Sequence, residues 1–166
     1  MEKIKEMSLE EKYDKLFDSY VLTEAMYYAF LEELGVLDKY YDFSAKLTKE
    51  IMPKYLGIAL KVFTTIAPGK ALQQLTDQMV YSQQSTIPLS NIELTRVSDR
   101  EVAIRIKNCP ILKRARDLVK KLGLDIDPKF ICDKEVKVSA EASKGFALGV
   151  SMRLEEDGCV STLKIK

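Results

Sequence analysis

The sequence predicts an α+β protein, on three observations. Through the first half, apolar residues recur every three to four positions, the period of a helix. Beyond about residue 90 the period shortens to two, the mark of strands with one buried face. Between two stretches of such alternation lies a helical segment opened by Pro110 and closed by Gly123. Helices first and antiparallel strands later make an α+β domain rather than a parallel βαβ array.

Taken in order, Ser8 and Glu11 have the spacing of a capping box, in which each side chain satisfies a backbone N–H at a helix start. Tyr13, Phe17, Tyr20, Tyr27, Leu31 and Leu34 then form an apolar stripe, and Gly35 fits the helix stop. The one gap in the stripe is Glu24, a carboxylate that sits at the stripe's edge, is paired, or is functional. A second helix is expected over about 38–52, with Tyr40, Tyr41 and Phe43 as aromatic surface. Pro53 suits the first turn of a third, carrying Tyr55, Leu56, Leu60, Phe63 and Ile66, which Pro68-Gly69 ends. A fourth, 70–83, puts Leu72, Leu75 and Met79 on one face and Gln74, Gln78 and Tyr81 elsewhere. The aperiodic stretch 82–91 reads as a connection.

Strands follow. Ile92 and Leu94, then Val102, Ile104 and Ile106, alternate with polar residues around Ser98-Asp99-Arg100, which predicts a hairpin. After the helix from Pro110, the segment 133–144 fits either a short helix or a strand. Phe146, Leu148, Val150, Met152 and Leu154 alternate, Asp157-Gly158 makes a turn, and Cys159 to Ile165 returns as the last strand. One domain, 1–166, is expected: a helical half (1–85) packed on a hairpin–helix–hairpin half (90–166), since this length can bury a single core.

Composition excludes several functions. With 26 basic and 25 acidic residues there is no electrostatic footprint for nucleic acid. No apolar run approaches the roughly 20 residues of a membrane span, and the charged N-terminus does not read as a secretory leader. A cytoplasmic protein with reduced thiols is therefore expected. The chain has no histidine. That removes Ser-His-Asp and Cys-His catalysis, His-ligated haem and any imidazole-bound zinc.

The remaining chemical signature is Cys109, Cys132 and Cys159, separated by 22 and 26 residues with no CxxC pair. Cysteine is often a small apolar core filler, and that is one reading. The other is a site at element ends. Cys109 precedes Pro110 as the expected N-cap of its helix, a setting that favours thiolate, and Cys132 and Cys159 follow a loop and a turn. If the three ends converge, three thiolates would suit a zinc ion, with Asp133 or the more distant Glu24 at the fourth position.

The hairpin leading into Asn108-Cys109-Pro110, the helix, Phe130-Ile131-Cys132-Asp133 and the closing Asp157-Gly158-Cys159 together resemble the vinyl-4-reductase domain family. Its relatives include proteins similar to 2-amino-thiazoline-4-carboxylate hydrolase. The resemblance covers about residues 90–166. It implies a small-molecule-binding α+β module for apolar or aromatic ligands, with Cys109, Cys132 and Cys159 as metal ligands or ligand-site thiols. Where many members carry a further cysteine, this chain has Met152, Arg153 and Leu154. The family's haem-binding cousins use an axial histidine, so haem is not expected here. No GxGxxG motif supports reductase chemistry.

The leading functional expectation is a ligand-binding module with a pocket between the aromatic helices (Tyr20, Tyr27, Tyr28, Phe30, Tyr40, Tyr41) and the apolar sheet face. Glu24, Tyr27, Gln78 and Tyr81 are the expected ligand-binding residues, beside Gln74. The same aromatics read equally as core or as a dimer interface. One alternative is a hydrolase of a small substrate using a zinc-bound water or a Cys109 thiolate activated by Lys107 or Lys113. The other is a homodimeric interaction protein joined through its tyrosine-rich helices.

Overall fold

The computed structural model describes residues 7–51, 61–143 and 147–166. The chain begins with α1 (Leu9–Glu33) and α2 (Leu37–Ile51). Residues 61–66 are helical (α3), and α4 (Pro68–Gln83) follows. A single 3₁₀ turn, Leu89–Asn91, leads into β1 (Ile92–Ser98) and β2 (Glu101–Ile106). Then come α5 (Pro110–Leu122), α6 (Phe130–Ala142), β3 (Leu148–Leu154) and β4 (Cys159–Ile165). The α+β fold holds. Residues 52–60 and Phe146, where a helix start and a strand start were expected, lie outside the described residues.

The capping box at the start of α1 is formed: the Glu11 N–H donates to Ser8 Oγ at 3.1 Å, and the Ser8 N–H donates to Glu11 Oε2 at 2.7 Å. The helix stops where Gly35 takes a left-handed φ of 65° and the Val36 N–H donates to the Leu31 carbonyl at 3.0 Å.

The single apolar stripe expected on α1 divides in two. Phe17 and Leu31 are buried together with Val21 and Ala25, and Phe17, Val21 and Ala25 pack on α5 and α6 through Ala115, Phe130 and Ile131. Tyr13, Tyr20, Tyr27 and Leu34 of the same expected stripe stay 44–56% exposed. Small Ala25 lets α6 approach closely, so the helix turns its Val21–Ala25 side inward and the tyrosine side outward.

The sheet has strand order β1-β2-β4-β3, antiparallel throughout, with Val102 opposite Leu163, Ile104 opposite Ser161 and Ile106 opposite Cys159. Strands β2 and β4 bury alternate residues, and α4 covers that face with Ala71, Leu72 and Val80. Each large aliphatic side chain sealed there contributes about 1.5–3 kcal/mol. The edge strand β1 stays largely exposed and its register slips between Arg96 and Ser98.

The segment left open between helix and strand is helical. Asp127 starts it: its Oδ1 accepts from the Lys129 N–H at 2.8 Å and its carbonyl from the Phe130 N–H at 3.0 Å. This local turn sets the chain into α6 at Phe130. Cys132 therefore sits in the first turn of a helix rather than ahead of one.

Candidate functional site

The two outer cysteine motifs are clasped together. The Cys109 N–H donates to the Asp157 carbonyl at 2.8 Å, and the Asn108 N–H donates to Asp157 Oδ2 at 3.2 Å. Asn108 takes the left-handed conformation this geometry needs, with φ 47°, and its carbonyl accepts from Asn91 Nδ2 at 3.1 Å. Gly158 passes so close to β2 that a Cβ would collide with the Ile106 carbonyl. Cys109 and Cys159 thus enter one buried cluster with Ile87, Ile106 and Leu112.

Cys132, from the first turn of α6, lies close enough to both for the three thiols to act on one another electrostatically. Burial first, then Cys109 and Cys159, push its pKa up to about 12. Burial and Cys109 push Cys159 up to about 11. Of the meeting of three element ends that the sequence left open, Cys109 and Cys159 share one cluster, and its character is apolar. Cys109 is the N-cap of α5 as expected, yet its sulfur accepts no capping hydrogen bond. Among the described residues, no group of three or more Cys, Asp or Glu is placed to hold a metal ion. Cys109 and Cys159 share the lining of a thiol-bearing apolar core, and Cys132 and Cys159, held protonated by burial, make poor nucleophiles. Lys107, an expected activator, is instead paired with Glu93 at 2.6 Å.

A second cluster forms where α1, α2 and α6 meet. Glu24 and Lys134 face each other there at 3.0 and 3.3 Å through both carboxylate oxygens, each side chain a little over one-fifth exposed. Burial, the largest single influence, depresses the Lys134 pKa, but the hydrogen bonds and charges of Glu24 and Tyr40 together outweigh it and the net shift is upward. Tyrosines surround the pair. The Tyr27 and Tyr40 rings meet edge to face at 5.2 Å, Tyr40 and Tyr41 lie 5.9 Å apart, and Tyr28 packs on Phe130 at 5.6 Å. Lys134 and Lys137 sit over the Tyr40 and Tyr41 rings at 5.7 and 4.7 Å.

The Tyr41 hydroxyl is buried without a hydrogen-bond partner among the described residues, and burial raises its pKa. Burial also raises Asp133, which acts electrostatically on Tyr28 and Tyr41. The cavity lined by Glu24, Tyr27, Tyr40, Tyr41, Phe130 and Lys134 has a volume of about 10 Å³. That is room for one water at most.

The expected ligand-binding residues are only partly united. Glu24 and Tyr27 line this cleft, whereas Gln78 and Tyr81 stand exposed on α4, Tyr81 at 74%. The cleft lies between helices and not against the sheet, whose apolar face α4 occupies. Lys134 was not among the expected residues. Its segment fitted helix and strand equally, so its facing could not be assigned. No helix among the described residues is long and apolar enough to cross a membrane. Comparison with known proteins finds no matching family model, curated protein or solved structure.

Proposed function

We propose that this protein is a small-molecule-binding module whose ligand, a compact aromatic molecule bearing a polar group, enters between α1, α2 and α6. The observation that carries the reading is the buried Tyr41 hydroxyl, left without a partner among the described residues, in an aromatic cleft that also holds a fixed carboxylate–ammonium pair. Buried polar groups are nearly always satisfied, so an unsatisfied one marks a place where a water or ligand group belongs. Apolar walls with a few convergent polar groups are the usual make-up of a ligand site. The cavity is too small as it stands, so binding requires the Tyr27 and Tyr40 rings to move. Tyr27 is 44% exposed, and its edge-to-face contact with Tyr40 is the packing that this movement opens. The reading agrees with what the resemblance to the vinyl-4-reductase domain family implies. We place the protein in the cytoplasm, where its three free cysteines stay reduced.

The test is a thermal-unfolding titration with phenol, indole and benzoate. A saturable rise in Tm, lost in Tyr40→Ala, is expected, because a ligand that binds only the native state stabilises it by RT ln(1 + [L]/Kd). No rise with any of the three up to about 10 mM would sink the proposal, since even a millimolar Kd gives a measurable shift there.

A further inference from the structure

The outward side of α1 carries a second, regular pattern. Leu9, Tyr13, Leu16, Tyr20, Thr23, Tyr27, Phe30 and Leu34 follow one another at alternating steps of four and three, the heptad spacing of a coiled-coil seam. The seven apolar members are 44–85% exposed, although the Tyr13 hydroxyl donates to the Ser85 carbonyl and one edge of the Tyr27 ring meets Tyr40. This seam lies about 110° round the helix from the buried Phe17–Leu31 face and runs for about 37 Å. Thr23 turns its hydroxyl back to the Ser19 carbonyl at 2.8 Å, which satisfies it within the helix.

We propose that this seam binds α1 of a second copy of the chain, antiparallel, about a two-fold axis between Tyr20 and Thr23. The proposal does not rest on the ligand reading. Three features select the occupant. First, the pattern is self-complementary in that direction: Leu9 meets Leu34, Tyr13 meets Phe30, Leu16 meets Tyr27, and Tyr20 meets Thr23. Each layer then pairs one a position with one d position, and the smallest residue faces a tyrosine beside the axis. Second, the flanking charges fit. The same register sets Lys12 of one copy opposite Glu33 of the other, twice by symmetry. Third, the area suffices: seven large side chains contributing about 100 Å² each give about 1,400 Å² over both copies, within the range of stable interfaces. An anionic membrane surface is a poor alternative, because acids outnumber lysines on α1.

Sedimentation equilibrium of the full chain from about 1 to 100 μM tests this, a range wide enough to catch a micromolar dimer. The expected species has twice the 18.9 kDa chain mass. Leu16→Glu should weaken the dimer about a hundredfold or more, with far-UV circular dichroism unchanged because Leu16 is 71% exposed. If that variant misfolds, Leu9→Glu, at an 85% exposed end layer, serves instead. Lys12→Glu and Glu33→Lys should each weaken association several-fold, and the double variant should restore it. A monomer across the whole range, or a dimer indifferent to the Leu9 and Leu16 substitutions, would overturn the proposal. A dimer that the double charge swap fails to restore would overturn the antiparallel register.

Discussion

Replacing a buried tyrosine by phenylalanine ordinarily costs stability, because a hydrogen bond goes with the hydroxyl. Tyr41→Phe is expected to do the opposite. Tyr41 is 4% exposed and its hydroxyl has no partner among the described residues. A buried polar group left unsatisfied costs about 1–3 kcal/mol, and deleting it returns that cost while the ring keeps its contacts with Tyr40 and Lys137. Taking about 1 kcal/mol, and about 2–4 °C per kcal/mol for a domain of this size, Tm should rise by about 2–4 °C. Differential scanning calorimetry of both proteins at one concentration reads this directly. The same substitution should weaken the stabilisation by phenol, since the hydroxyl is the group held ready for the ligand. A fall in Tm would refute the reasoning: it would mean that the hydroxyl is already satisfied, by a water in the 10 Å³ space beside it.

Two more perturbations probe the cysteine end of the sheet. Burial raises Cys132 and Cys159 to about 12 and 11, from an ordinary value near 9. The stability this protonation provides is fully present below the unfolded thiol pKa and is lost as pH climbs toward the folded values, at about 1 kcal/mol per pH unit for each thiol. Urea unfolding between about pH 8 and 10.5 should show the decline, and Cys132→Ala should make it about half as steep; an unchanged slope means the thiols ionise in the folded protein. Gly158→Ala should cost about 3 kcal/mol or more, because its Cβ has no room against the Ile106 carbonyl. A denaturant midpoint within error of the parent would show that the clasp between the Asn108 and Asp157 loops is loose.

What was legible in the sequence follows the range of the forces involved. The capping box at Ser8, the stop at Gly35 and the hairpin around Asp99 are fixed by residues within a few positions of one another, and all are found as read. The facing of α1 was not legible. It depends on which of two apolar sides meets Ala115 and Phe130, residues about a hundred positions away. The start of α6 was missed for a related reason. Asp127 and Pro128 read as a loop, and nothing in Phe130-Ile131-Cys132 separates a strand from the first turn of a helix. With the helix unassigned, Lys134 could not be brought to Glu24, and half of the candidate ligand site stayed hidden. The nearness of the cysteines was legible only as a possibility of three element ends, and spacing said nothing of the apolar lining that Cys109 and Cys159 share.

The slip in β1 limits how far the sheet can grow. An open antiparallel sheet offers its outermost strand as a template, and a foreign strand can add to a long, flat edge without end, as fibres do. Here the pairing pattern breaks between Arg96 and Ser98, and the residues along the edge include the charged Glu93 and Arg96. A bulge bends and twists the strand that carries it, so an incoming chain finds only a short unbroken run before the backbone turns away. Charge on that run opposes an apolar guest. The irregularity that looks like a flaw in β1 is thus a terminator on that side of the sheet, a feature that works against the addition of a further strand there.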